Sequence, residues 1–82
     1  MPRYYFDISD GDVTTTDTEG QEMSIDEARQ EAIGVLPQLA KDVLPDGDTR
    51  TFESYVRDEE GSGIFRAKLT LRAEWLIDPS KR

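Results

Sequence analysis

Any chemistry carried out by this chain of 82 residues must use carboxylates, amines, guanidinium groups or hydroxyls, because the sequence contains no histidine and no cysteine. Nucleophilic sites of the Ser-His-Asp and Cys-His types are therefore excluded, and so are metal sites built from imidazole or thiolate ligands. No motif arranges the remaining groups around a reaction centre. We therefore expect a protein that is not an enzyme and that carries no cofactor.

The abundance of carboxylates raises the question of a calcium site. The best alignment with an EF-hand loop puts Asp42 at the first ligand position, Asp46 at the fifth and Glu53 at the last. Leu44 then stands at the third position, where a ligand oxygen is required. The second flanking helix is also missing, because a strand is predicted after the loop. The sequence therefore predicts no metal site.

A second candidate chemistry is nucleic-acid binding. Basic and aromatic side chains share one face of the predicted strands: Tyr5, Tyr55, Arg66, Lys68 and Arg72. Some RNA-binding sheets combine aromatic and basic residues in this way. Three carboxylates fall on the same face: Asp7, Glu53 and Glu74. Cross-strand ion pairs therefore explain the pattern better than a nucleic-acid site does.

The overall charge supports the same view. Eighteen acidic residues against ten basic ones give a net charge of −8, which repels DNA, RNA and anionic lipid. The opening Met1-Pro2-Arg3-Tyr4 shows no signal peptide, and the longest apolar run of three residues is too short to span a membrane. We expect a cytoplasmic protein without a nucleic-acid or membrane partner.

Two hairpins are predicted from residues that alternate with period two. The first joins the strand from Arg3 to Ser9 to a short edge strand, 13–17, through the turn 10–12. The second joins the strand 51–57 to a long strand from Ile64 to Trp75, through a loop that contains glycines. The last strand has the clearest pattern, with one apolar face formed by Phe65, Ala67, Leu69, Leu71, Ala73 and Trp75.

One helix is predicted between the hairpins, from a capping box at Ser24 and Glu27 to about Leu44. Its core-facing stripe has the spacing of three and four that is typical of an amphipathic helix, and comprises Ile25, Ala28, Ala32, Val35, Leu36, Leu39 and Val43. Gly34 and Pro37 fall away from this stripe, which favours one helix with a kink over two helices.

The predicted fold is therefore of the α+β class, with ββαββ order and a four-stranded, mainly antiparallel sheet covered on one face by a kinked helix. We expect one domain over residues 1–77, followed by a flexible C-terminal tail over 78–82. The short strand 13–17 is expected at an edge of the sheet, because it contains few apolar residues.

The helix carries more apolar residues than one sheet requires. Ile33, Pro37, Ala40 and Leu44 lie beside the core stripe and widen the apolar arc to about 200°. Either the segment that begins at Trp75 folds back over this flank, or a second subunit covers it. The candidate interface residues are therefore Ile33, Pro37, Leu44 and Trp75.

Several segments together resemble one known family. They are Pro2-Arg3-Tyr4-Tyr5-Phe6-Asp7, Asp17-x-Glu19-Gly20, Glu27-Ala28-Arg29-x-Glu31-Ala32, Leu44-Pro45-Asp46-Gly47 and Val56-Arg57-Asp58-Glu59-x-Gly61 before Leu69-Thr70-Leu71. Their order and spacing are similar to the domain-of-unknown-function family 6894, of small alphaproteobacterial proteins. The resemblance implies no activity, ligand or catalytic residue. Pro37 departs from the helix-forming residue expected there.

Two functions follow as hypotheses. The first is a non-enzymatic module that self-associates, as a homodimer, or binds a protein partner through the helix flank and the Trp75 end. The second is an acidic regulator that neutralises a basic protein partner, because the first hairpin, the helix and the charge broadly resemble acidic antitoxins of the HicB type.

Overall fold

The computed structural model describes residues 2–45 and 47–81. Five strands and one long helix follow one another as β1 (Arg3–Ser9), β2 (Thr14–Thr15), β3 (Gln21–Glu22), α1 (Ile25–Val43), β4 (Thr49–Arg57) and β5 (Gly63–Arg72). All strand pairs are antiparallel, and the order across the sheet is β2-β1-β4-β5, with β3 also paired to β1. The predicted α+β class, with one helix against an open antiparallel sheet, is confirmed.

The sheet has five strands where four were predicted, because the second strand is split. Of the predicted strand 13–17, only Thr14 and Thr15 pair with β1, and the chain then turns and pairs with β1 again as β3. Gly20 permits this turn, since its φ is 68° and a Cβ there would lie 2.8 Å from the ring of Tyr5. The edge position predicted for the second strand is confirmed.

The helix begins and continues as its sequence predicts. The Ser24 hydroxyl accepts the N–H of Glu27, and the Glu27 carboxylate accepts the N–H of Ser24, both at 3.1 Å. Gly34 and Pro37 are exposed, and α1 is a single helix across Pro37. The proline is tolerated because it lies on the side of the helix that faces away from the sheet.

The core lies between α1 and the two strands β4 and β5, on which the helix packs. Ala28, Ala32 and Leu36 are its buried helical residues, and small side chains there let the helix approach the sheet closely. The buried Ser54 of β4 donates its hydroxyl to the carbonyl oxygen of Ala32 at 2.6 Å, which ties the two layers together. The core position predicted for Ile25 is wrong: the residue is exposed, because it begins the helix beside β5.

The strand β5 pairs with β4 alone and is shorter than predicted. Its pairing ends where Thr49 meets Arg72, because β4 supplies no residue before Thr49, and only one further bond, from the N–H of Ala73 to the carbonyl of Asp48 at 2.7 Å, continues the ladder. The residues Ala73–Ile77, here called the C-terminal arm, extend beyond the sheet and are exposed. The prediction that the strand reaches Trp75 is therefore wrong for this chain alone.

The chain is extended for its length. Its radius of gyration is 16.0 Å and its principal extents are 59 × 21 × 19 Å, whereas a compact chain of this length has a radius of gyration of about 12 Å. Its surface of 6100 Å² also exceeds the roughly 5000 Å² typical of a monomer of this mass. The protein therefore exposes about a fifth more surface than a compact monomer does.

Met1, Asp46 and Arg82 lie outside the described residues, and with them Asp46 of the loop considered for calcium and the last residue of the predicted tail. Within that tail, Pro79–Lys81 forms one turn of 3₁₀ helix after Asp78. The boundary predicted at residue 77 stays a prediction. Along the described parts of the chain, no helix has both the length and the apolar character needed to cross a membrane.

Candidate protein-association surface

The four predicted interface residues are all accessible, but the structure brings only three of them together. Ile33, Pro37 and Leu44 lie along one flank of α1, where Ile33 is 40% exposed and Leu44 is half-buried. Trp75 lies in the C-terminal arm, 71% exposed, and Leu76 beside it is 89% exposed. The arm therefore does not fold back over the helix flank, and that flank is uncovered.

The apolar flank of the helix faces the β5 side of the sheet. Ile25 and Arg29 of α1 line a shared depression with Ile64 of β5, whereas Glu31 of α1 lines a groove with Gln21 of β3. Residues four apart lie on the same side of a helix, so Ile33 and Pro37 follow Arg29 toward β5. The helix thus turns an apolar flank toward β5 and a polar flank toward β3.

The outer edge of β5 is open. This strand of ten residues has β4 as its one neighbour in the described sheet, so half of its backbone N–H and C=O groups point away from any strand. Ile64 and Leu69 are each 39% exposed along it. Ile33, Pro37 and Leu44 of the helix together with Ile64 and Leu69 are here called the β5-edge surface.

The opposite edge of the sheet, along β1, is closed. The two short strands β2 and β3 cover its ends, and a loop carboxylate covers the interval between them. Asp17 accepts the N–H of Phe6 in β1 at 3.1 Å, and also the N–H groups of Glu19 and Gly20 at 3.0 and 3.1 Å. Asp17 therefore acts as a hydrogen-bonding plug where neither short strand reaches.

The plug is tied to the sheet by a charge network. Arg57 of β4 donates to both carboxylate oxygens of Asp7, at 2.8 and 3.0 Å, and to the carbonyl oxygen of Asp17 at 2.8 Å. The hydrogen bond from Arg57 holds the pKa of Asp7 below its ordinary value. Burial alone would raise the pKa of Asp17, but the backbone N–H groups that it accepts outweigh burial and lower it.

The helix-free face of the sheet is covered by pairs between neighbouring strands. Tyr5 and Tyr55 do share this face with the basic residues, as predicted, and Arg57 and Arg66 stack over their rings, each 5.3 Å from the ring centroid. Glu53 pairs with Arg66 at 3.1 Å and with Lys68 at 3.8 Å. The cross-strand ion pairs that the sequence predicted on this face are confirmed.

A depression of about 240 Å³ lies between the start of α1 and the start of β5. Its lining comprises Ile25, Asp26, Ala28, Arg29, Ile64 and Phe65. Most of these side chains are apolar, and it opens on the same side of the molecule as the β5-edge surface. It is here called the β5 pocket.

A larger groove on the polar flank of α1, of about 550 Å³, contains three glutamates, Glu22, Glu27 and Glu31. Two of them already have partners in the chain, because Glu27 completes the capping box and Glu22 lies 3.8 Å from Arg3. Within residues 2–45 and 47–81, no three acidic side chains converge as metal ligands do. The groove offers diffuse negative charge and no built binding site.

Sequence reasoning missed Ile25, Ile64 and Leu69 as surface residues, since their spacing placed them among core positions. One signal could have found the open edge. The apolar alternation runs to Trp75, whereas the strand 51–57 is too short to pair with all of it. A strand pattern that is longer than its partner indicates that part of it pairs elsewhere.

The comparisons with known proteins give one match. A sequence model of the family described as Domain of unknown function (DUF6894) matches residues 3–70. This span holds all five strands and the helix except the last two residues of β5. No curated protein and no solved structure matches the chain.

Proposed function

We propose that this chain, which belongs to the DUF6894 family, is a non-enzymatic association module that binds a second copy of itself along the β5-edge surface. The observation that carries the proposal is the open edge of β5 beside the apolar flank of α1. An exposed, long and apolar edge strand is the feature from which strands of separate chains pair.

The spacing of the elements favours a second copy as the occupant. Strands of one sheet lie about 4.8 Å apart. The helix packs on β4 and β5, so pairing β5 with its copy would set the two helices about 10 Å apart across the two-fold axis. Packed helices are typically 8–10 Å apart. The Ile33 and Pro37 flanks would then cover each other.

The amount of uncovered surface is also appropriate. The chain exposes roughly 1,100 Å² more than a compact monomer of its mass. A stable interface of ordinary size buries about 800 Å² on each partner. A two-fold dimer uses the same patch on both copies, so one open edge is sufficient for a closed assembly.

The proposal is tested by placing a charge in the flank. We expect Ile33→Glu and Leu44→Glu to raise the dissociation constant of the dimer at least about tenfold, because a carboxylate would lose its water in the interface. Val13→Glu is the matched control: Val13 is 63% exposed but lies beside β2, at the closed edge.

Analytical ultracentrifugation over micromolar to millimolar concentration measures the constants, and circular dichroism verifies that each variant folds. A parent chain that stays monomeric throughout would refute the proposal. Equal weakening by Val13→Glu would refute the assignment of the surface, since that residue lies away from it.

The alternative function, an acidic regulator that neutralises a basic protein, has support only from the net charge and the groove that contains Glu22, Glu27 and Glu31. Two of those glutamates have partners in the chain, which makes this alternative the weaker one. It predicts capture of a basic protein that weakens steeply with salt, whereas apolar self-association changes little with salt.

A further inference from the structure

The alternating pattern of β5 extends further than its pairing in this chain. Apolar residues occupy every second position from Phe65 to Trp75, but the ladder with β4 ends at Arg72, apart from the single bond of Ala73. Beyond Trp75 the chain bends at Leu76 and Ile77, so the row that can form a strand ends there. Half of this row's backbone groups therefore have no strand partner in the described chain.

We infer that, in the proposed self-association, two copies pair antiparallel along β5 with the two-fold axis at Thr70, and that Trp75 of each copy fills the β5 pocket of the other. This deepens the proposed function and rests on it. Thr70 is the midpoint between Phe65 and Trp75, so an axis there pairs the whole apolar row with itself. Directly opposite residues of antiparallel strands lie on one face.

The apolar pairs that result join the exposed arm to the start of β5. Trp75 lies opposite Phe65 of the second copy, Ala73 opposite its Ala67, and Leu71 opposite its Leu69. Phe65 lines the β5 pocket, whose volume of about 240 Å³ suits one large aromatic side chain. The pairing therefore brings the most accessible aromatic ring of the chain to a depression that nothing in the described chain fills.

The polar row gives one favourable pair and one unfavourable pair. Arg66 lies opposite Glu74 of the second copy, which attracts it, and Lys68 lies opposite its Arg72, which repels it. The repulsion is reduced because Glu53 lies 3.8 Å from Lys68 within the same chain. An axis at Lys68 would put that lysine opposite itself and leave Trp75 without a partner.

The pocket also offers a charge that suits an indole. Arg29 lines it and is exposed. A guanidinium group over the face of an indole ring is a favourable cation–π contact. Trp75 would thus meet apolar side chains on one side and Arg29 on the other, and both contacts occur twice in a two-fold dimer.

The first test uses the fluorescence of Trp75, which is the single tryptophan of the sequence. Its emission should shift to shorter wavelength as protein concentration rises, because the exposed ring loses water on docking. Ile64→Ser, at the pocket, should reduce the shift, whereas Val13→Ser should leave it unchanged. Both parent residues are exposed, so both variants should fold.

The second test measures the register. Because the chain has no cysteine, single variants Arg66→Cys and Glu74→Cys can each carry one spin label. An axis at Thr70 predicts the same backbone separation between copies for both sites, about 27 Å at 3.4 Å per residue. An axis at Leu71 predicts about 34 Å for residue 66 and about 20 Å for residue 74.

The outcomes distinguish this inference from the function on which it rests. A dimer with unequal label separations, or with Trp75 emission that does not change with concentration, would overturn the register and the docking of Trp75 but leave self-association intact. A chain that sediments as a monomer at all concentrations would overturn both. Equal separations together with the shift in emission would establish the inference.

Discussion

The two edges of this sheet are treated in opposite ways by the sequence. Along β1, two strands of two residues each and one aspartate satisfy the edge from Arg3 to Ser9. Along β5, ten residues carry apolar side chains and an unpaired backbone edge, beside an apolar helix flank. One edge therefore has devices that prevent pairing with another chain, and the other lacks most of them.

The difference teaches where function is to be sought in a protein without a catalytic constellation. A chain that only needed solubility would protect both edges, since an open apolar edge invites aggregation. Lys68 and the two arginines of β5, Arg66 and Arg72, limit uncontrolled pairing by their charge. We interpret the β5 edge as selective, because charge on one face discourages partners that do not match.

The largest effect is expected at the closed edge. Asp17→Asn removes one of the two carboxylate oxygens that accept N–H groups and turns an amide toward a donor, so we expect a loss of about 2 kcal/mol in the free energy of unfolding. Urea denaturation measures the loss. The matched control is Asp12→Asn, at a nearby exposed carboxylate, which should change stability by less than about 0.5 kcal/mol. Equal stability of the two variants would show that Asp17 is not a plug.

Acid should weaken the same edge. The pKa values of Asp7 and Asp17 are lower in the folded chain than their ordinary value of 3.8, so the unfolded chain takes up protons first as the pH falls. Their contribution is complete above about pH 5 and declines below about pH 4, toward the folded pKa values. Urea denaturation from pH 7 to pH 2.5 should show this decline, and Asp17→Asn should reduce its size. A parent and a variant with parallel profiles would contradict the assignment.

The smallest effect is expected from removing one charge of the open edge. Lys68→Thr deletes the repulsion opposite Arg72 of the second copy, so the dimer should become a few-fold tighter at low salt and change less at high salt. Lys41→Thr removes the same charge from the exposed side of α1, away from β5, and is the control. A weaker dimer with Lys68→Thr would argue against strand pairing at this edge.

Local rules in the sequence were sufficient for much of this fold. The capping box at Ser24, the stop after Val43 and the alternation of β4 and β5 depend on neighbours in sequence, so the helix, the hairpin and the α+β class could be predicted. The cross-strand ion pairs of Glu53 could also be predicted, because register follows from alternation.

Features set by distant contacts could not be predicted in this way. The role of Asp17 depends on its meeting Phe6 across a turn, and the exposure of Ile25 depends on where the helix starts relative to β5. The candidate surface was found only in part. Ile33, Pro37 and Leu44 follow from helical spacing, whereas the contribution of Leu69 requires knowledge of which strand lies at the edge.

Amide hydrogen exchange compares the two edges in one experiment and tests the central claim most directly. We predict that the outward-facing amides between Gly63 and Trp75 become more protected as protein concentration rises from micromolar to millimolar. The amides of β1, from Arg3 to Ser9, are already satisfied and should respond far less. Protection along β5 that is independent of concentration, or that rises equally along β1, would contradict the account of β5 as the association edge.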